Sequence, residues 1–120
     1  MKFKESKSIY LQIADRICDE ILQGQYKEEE RIPSVREYAA TVEVNANTVV
    51  RSFDYLQGQD IIYNKRGLGY FVASEGRERI LGLRKEVFLK EELPEFFRQL
   101  KTLDISMKDV EKLYKDYLKE

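Results

Sequence analysis

No histidine occurs anywhere in this chain. That absence removes the commonest general base and the commonest metal ligand together. The one cysteine, Cys18, cannot build an internal disulfide framework and suits a reducing cytoplasm. No apolar run approaches the ~20 residues of a membrane-spanning helix. The opening stretch MKFKESKSIY is charged and lacks the apolar centre of a signal peptide. An excess of either charge is missing as well: 21 Lys and Arg meet 22 Asp and Glu, for a net charge of −1. Residues 1–74 carry 10 basic and 11 acidic side chains, and residues 75–120 carry 11 of each. A neutral chain binds nucleic acid only if its cations gather on one face, so arrangement has to decide the matter. No phosphate-loop pattern, nucleophile elbow or metal-ligand cluster is present. The acidic run Glu28-Glu29-Glu30 reads as a solvated loop, and Asp19-Glu20 and Glu91-Glu92 lack an acid–base partner at a defined spacing. Nothing here implies an enzyme, a metal or a cofactor.

What is present is helical patterning with one β interruption. The chain has 120 residues, 42% of them hydrophobic, enough for one packed domain, or one small domain with an appendage. Ile9, Ile13, Ile17 and Ile21 recur at the i, i+4 spacing of an amphipathic helix over residues 8–23, with Ser8 as its expected cap and Gly24 as its stop. Cys18 sits inside that helix, where a semi-buried inert thiol is expected. After a polar connection, Ser34 and Glu37 form a capping-box pattern that opens a short helix through about Val42. Glu43-Val44 makes a brief turn. A third helix is expected from Asn45 to about Gln57 or Gln59, with Val49, Phe53 and Leu56 inward. Two helices joined by about three residues make a helix-turn-helix. Ile61 to Asn64 and Tyr70 to Ala73 then flank a five-residue loop, KRGLG, which reads as a hairpin. Helix-turn-helix plus hairpin is a winged helix. Residues 75–120 turn helical again, with Leu93-Pro94-Glu95 as punctuation and Ser106 capping the last helix.

The third helix starts with VNANTVVRSF, an odd choice for scaffolding. Asn and Thr are mediocre inside helices but good at their starts. They also hydrogen-bond base edges and phosphates. Asn45, Asn47, Thr48 and Arg51 lie on the first two turns, the part of such a helix that enters the major groove. Lys65 and Arg66 crown the wing beside Gly67 and Gly69, where the backbone can approach a duplex closely. The plainer readings are a cap for Asn45, a solvated Arg51 and an ordinary solvated turn at the wing. Tyr63, Tyr70 and Phe71 read as packing residues.

Residues 8–73 resemble the DNA-binding domain of GntR-type bacterial transcription regulators. The stretches that carry the resemblance are IYLQIADRICDEILQGQY, RIPSVREYAATVEV, NANTVVRSFDYLQGQDII and RGLGYFVA, in order and at matching spacing. The short tail and the NANTV segment resemble the YtrA subfamily, in which the tail mainly makes a homodimer. The resemblance implies a phosphate or base contact for Arg36, whose plainer alternative is a surface ion pair with Glu37 or Glu43. Ser34 caps beside backbone N–H groups that face a phosphate. Glu43 and Asp60 stand where relatives often have glycine, and Ala46 and Val50 where larger relatives have arginine, so those arginine contacts do not carry over.

The expected architecture is mainly α with a small β-hairpin. A winged helix-turn-helix spans residues 6–74 and a helical dimerisation tail spans 75–120. Ile80, Leu83, Val87, Phe96, Phe97 and Leu100 are the expected dimer residues, because so small a helical piece buries few of them alone. The expected function is a cytoplasmic homodimeric regulator, a repressor, bound to an inverted repeat in double-stranded DNA, with no membrane partner. Transporter genes are the targets that the subfamily resemblance implies. A winged-helix adaptor for protein partners is the alternative. The sequence names no effector.

Overall fold

The computed structural model describes residues 7–120. Most of the opening stretch, and residue 6, at which the expected first domain begins, lie outside that range. Helix α1 spans Ile9–Leu22. Its stripe of Ile13, Ile17 and Ile21 is buried, with Ala14 and Cys18 beside it. Ser8 occupies the cap position without a side-chain capping bond, so it contributes only its backbone. Gly24 stops the helix as expected. At φ 84° it lets its own N–H reach Ile21 O (3.0 Å) and the N–H of Gln25 reach Glu20 O (2.9 Å). This bond pair ends helices on a left-handed residue.

Helix α2 spans Val35–Val42 and opens with both halves of the capping box. Glu37 N–H donates to Ser34 Oγ (3.1 Å), and Ser34 N–H donates to Glu37 Oε1 (2.9 Å). These bonds to Ser34 hold the Glu37 carboxyl below its ordinary pKa. Glu43 then takes the left-handed conformation (φ 57°, ψ 49°), the unusual turn that the missing glycine requires.

Helix α3 runs Ala46–Gly58, with Asn45 as its cap. It packs on α1, α2 and the hairpin's first strand through Val49, Phe53 and Leu56, all 0% exposed. Phe53 meets the Tyr70 ring edge-on at 4.8 Å. Removing that ring would cost ~3–5 kcal/mol. Asp60 (φ 59°) closes α3 as Gly24 closes α1: its N–H reaches Gln57 O at 3.0 Å, and Ile61 N–H reaches Leu56 O at 3.0 Å. Tyr38 of α2 donates to Glu20 Oε1 of α1 (3.0 Å), which also receives Arg16 Nε–H on its other oxygen (3.4 Å). Burial first, and the Glu20 charge second, push the Tyr38 phenol well above its ordinary pKa, so it stays a donor.

Strands β1 (Ile62–Lys65) and β2 (Gly69–Val72) pair antiparallel, Ile62 with Val72 through Lys65 with Gly69. The connection is therefore three residues, Arg66-Gly67-Leu68, not five. Leu68 N–H closes a β-turn on Lys65 O (2.8 Å), and Gly67 supplies the positive φ (80°) at its third position. The wing also has a third edge. Glu29 and Ile32 N–H donate to Val72 and Tyr70 carbonyls, and Val72 N–H returns to Glu30 O. The acidic run is thus partly built into the fold: Glu29 accepts from the Tyr63 hydroxyl (2.7 Å), and Glu30 Oε1 from Lys27 N–H (2.7 Å).

Helix α4 (Gly76–Val87) straddles two compact units, one ending at Gly82 and the other running Leu83–Glu120. The first unit keeps the start of α4 because Gly76 lies against the strands; a Cβ there would come within 2.8 Å of Ile61 O and 3.0 Å of Val72 Cγ1. Ile80, one turn on, is 1% exposed. In the second unit a π-helical turn, Phe88–Glu92, joins the end of α4 to α5 (Leu93–Thr102). Leu93 N–H reaches back to Phe88 O, and Pro94 follows in the first turn of α5, so the expected punctuation is a widened turn rather than a break. Ser106 caps α6 (Met107–Leu118) by accepting from Asp109 N–H at 3.2 Å.

Candidate nucleic-acid interface

The polar start of α3 is an outward face. Asn45, Asn47 and Arg51 are exposed, Thr48 is half-buried, and Val49, Ser52 and Phe53 point inward. Asn45 Oδ1 accepts from Asn47 N–H (2.8 Å), so the cap is real and occupies the amide oxygen. Its NH₂ group keeps two donors for an acceptor such as a phosphate oxygen. Asn47 and Arg51 are one turn apart on the same face. The Arg51 guanidinium lies over the Tyr10 ring of α1, 4.2 Å from its centroid. Val50, 40% exposed, gives the helix an apolar spot where larger relatives have arginine.

Helix α2 contributes Arg36, which is exposed. Among the described residues it has no carboxylate within ion-pair distance, so the surface pairs with Glu37 or Glu43 do not form. Glu37 faces Arg31 instead, at 3.9 Å. Ser34 is committed to the capping box through its hydroxyl.

The wing supplies Lys65, Arg66, Gly67 and Gly69. Lys65 Nζ lies 4.9 Å from the Phe71 centroid, and Phe71 stacks on Tyr63 at 5.8 Å. These rings pack the wing and hold its lysine, as expected of packing residues. Arg66 is exposed at the turn. Gly69 (φ 113°) is tightly bounded: a Cβ there would sit 2.9 Å from Arg31 Nε.

Arg31 was not legible as a site residue. It lies just before α2, donates Nε–H to Leu68 O in the wing (3.1 Å), and directs Nη2 toward Glu37 in α2. It brings the wing turn and the start of α2 to one edge of the domain. Tyr10 was missed as well. Both rely on contacts between distant parts of the chain, and no local pattern announces them.

The tail residues divide. Ile80 and Leu100 (8% exposed) are buried within the chain, so neither is offered to a partner as expected. An amphipathic stripe marks a residue for burial without saying what covers it. Leu83 is half-buried. Val87, Phe88, Leu89, Phe96 and Phe97 are between 39% and 49% exposed, and Leu113, Tyr114, Tyr117 and Leu118 are more exposed still. Among the described residues no His/Cys/Asp/Glu group is arranged to hold a metal, and no helix is long and apolar enough to cross a membrane.

Residues 9–72 match the family model for bacterial regulatory proteins of the gntR family. The chain is similar to the HTH-type transcriptional regulator YhcF of Bacillus subtilis (strain 168), 33% identical over 91% of this chain and 88% of YhcF. It is also similar to the HTH-type transcriptional repressor YtrA of the same organism, 34% identical over 75% of this chain and 68% of YtrA. A GntR-family transcriptional regulator from Bacteroides thetaiotaomicron matches in structure with a TM-score of 0.84. It is 64% identical, covering 93% of this chain and 97% of its own. The DNA-binding domain of AraR, solved in complex with operator ORR3, gives a TM-score of 0.52 at 26% identity, covering 61% of this chain and 92% of its own. A helix-turn-helix, a hairpin wing and a matching family model over the same residues lead to one assignment: the chain belongs to the GntR family of transcriptional regulators and carries that family's winged-helix DNA-binding domain.

Proposed function

We propose that the chain is a cytoplasmic, homodimeric, sequence-specific repressor that binds an inverted-repeat operator. The observation that carries this reading is the common edge built by Arg31. Arg31 joins the wing turn that carries Arg66 to the first turn of α2 that carries Arg36, and neither of those two cations has a carboxylate partner among the described residues. The outward polar turn of α3 supplies the groups that read base edges: Asn47 suits adenine and Arg51 suits guanine. The exposed Val50 suits a thymine methyl. Asn45, Arg36, Lys65 and Arg66 hold phosphates, with Ser34 offering the hydroxyl hydrogen that its capping bond leaves free and Gly67 allowing close approach. AraR bound to its operator supports duplex DNA as the ligand, and YtrA, a named repressor, supports the direction of control. Transporter genes are the proposed targets, on the YtrA resemblance.

The second copy enters through Leu83–Glu120. Apolar side chains exposed there in such number mark an association surface. Val87, Phe88, Phe96 and Phe97 are its proposed centre, with Leu83 beside them. A two-fold dimer places two recognition helices in successive major-groove turns and reads a palindrome. Selection of bound duplexes from a random DNA pool tests the whole reading. Enrichment of an inverted repeat is expected; a pool that stays random would replace the repressor by an adaptor for protein partners.

A further inference from the structure

Arg51 has the outward position of a base-reading residue, yet its guanidinium is not loose in solvent. It lies over the Tyr10 ring, 4.2 Å from the centroid. Tyr10 is itself fixed against α3. The hydroxyl of Ser52, next to Arg51 in sequence and 0% exposed, bonds the Tyr10 carbonyl at 2.7 Å and lies 3.2 Å from Thr48 O. Ser52 therefore ties the backbone of α1's first turn to α3 at the level of Arg51. Val49 and Phe53, both fully buried, prevent α3 from rolling. Tyr10 is half-buried, which restrains the ring while leaving room for a cation against it.

A long exposed arginine ordinarily samples many rotamers and loses that freedom when it engages a base. A ring face beneath the guanidinium narrows the sampling beforehand. It does so without consuming hydrogen bonds, because the N–H donors lie in the guanidinium plane and the attraction acts through its face. The donor fork then remains available for the O6 and N7 acceptors of a guanine. Phosphate binding needs no such orientation, since a phosphate accepts from many directions. We propose that Tyr10 is a positioning residue that holds Arg51 in the attitude from which it reads a guanine of the operator. This inference rests on the DNA-reading role proposed above for α3.

The test uses the full-length protein and its selected operator, with single-base variants at every position. Arg51→Ala should lose about 5- to 150-fold of discrimination at one base pair per half-site, the range of a bidentate contact. Tyr10→Leu should lose about 2- to 5-fold of discrimination at that same base pair, the range of one exposed cation–π contact. Tyr10→Phe, which keeps the ring, should match the wild type. In the Arg51→Ala background, Tyr10→Leu should change nothing further, because the two act as one unit. If Tyr10→Leu loses its cooperative melt, Tyr10→Met, of similar length and without a π face, is read in its place. Discrimination at the wild-type level in the ring-less variant overturns the proposal. So does an affinity loss spread evenly over all operators and equal with or without Arg51. A wild type that selects no duplex removes the regulator reading and this proposal with it, an outcome visible before any variant is made.

Discussion

Arg31 and Leu68 are joined by a side-chain to backbone bond of 3.1 Å that spans the gap between the chain before α2 and the tip of the wing. The wing's two strands are short, and a two-stranded hairpin alone is marginal in water. Its angle to the helix-turn-helix therefore depends on such struts together with the backbone bonds that residues 29–32 make to Tyr70 and Val72. Arg31→Ala should raise hydrogen exchange at the Leu68 amide and weaken operator binding about 10-fold, with little change in melting temperature. Arg31→Lys, which keeps the charge but not the planar fork, should recover only part of the binding. Gly69→Ala attacks the same strut from the other side, since its Cβ would meet Arg31 Nε and its φ of 113° disfavours any side chain. It should destabilise the wing by ~1–3 kcal/mol, read as loss of protection in β2. Unchanged exchange in both variants would mean that the wing is held elsewhere.

Contacts on α3 and on the wing should separate by what they change. Asn47→Ala and Arg51→Ala should each cost about 1–3 kcal/mol and relax preference at particular base pairs. Arg66→Ala should weaken all sequences more evenly and reduce the salt slope by about one. For the wild type, neutralising roughly 6–10 phosphates predicts an affinity loss of about 10³–10⁵ between 50 and 200 mM salt. Equilibrium binding over single-base operator variants and a salt series reads all of these. A flat salt response would remove the phosphate assignments.

The tail should hold two copies together through its exposed rings. Val87→Glu with Phe97→Glu should yield monomers by light scattering and weaken operator binding, because each half-site is then bound alone. Ile80→Glu should behave differently. Its side chain is 1% exposed, so a charge there should unfold the first unit rather than merely split a dimer. Comparing the thermal melts of the two variants distinguishes the outcomes.

Glu43 and Asp60, two of the acidic residues at positive φ, hold left-handed backbone conformations that glycine adopts without steric cost. Glu43 (φ 57°) sits in the turn of the helix-turn-helix, and Asp60 (φ 59°) closes α3. Glu43→Gly and Asp60→Gly should each change stability by less than ~1 kcal/mol, relief of strain offsetting the greater entropy of an unfolded glycine. Glu43→Val and Asp60→Val should each lose ~1–2 kcal/mol, since a β-branched residue resists this region. Urea denaturation reads both series. Equal effects of valine and glycine would contradict the turn geometry.

Local chemistry was legible from sequence and long-range contact was not. Ser34 and Glu37 announce their box because both bonds lie within one turn. Gly24 announces a stop for the same reason. Asn45 to Phe53 could be divided into outward and inward residues by helical period alone. The wing's loop length is not legible, because strand register depends on the pairing of Lys65 with Gly69 across the hairpin, which alternation does not encode. The role of Glu29 needed Tyr63, and that of Arg51 needed Tyr10. Ile80 and Val87 look alike in an apolar stripe, and only the packed chain separates the buried one from the exposed one.

The π turn at Phe88–Glu92 acts as a phase shifter. Each residue of an α-helix advances about 100° around the axis, so the one extra residue of the turn rotates Phe96 and Phe97 by about that angle relative to Leu83 and Val87. It also widens the coil where an α-helical Pro94 would collide with the carbonyl of Lys90. Deleting Lys90 would restore the α-helical count and swing the two phenylalanines to a different azimuth. Such a variant should keep the melt of the first unit but associate weakly or with an altered two-fold geometry. The difference would be read as lost dimer in scattering or as a changed spacing between operator half-sites.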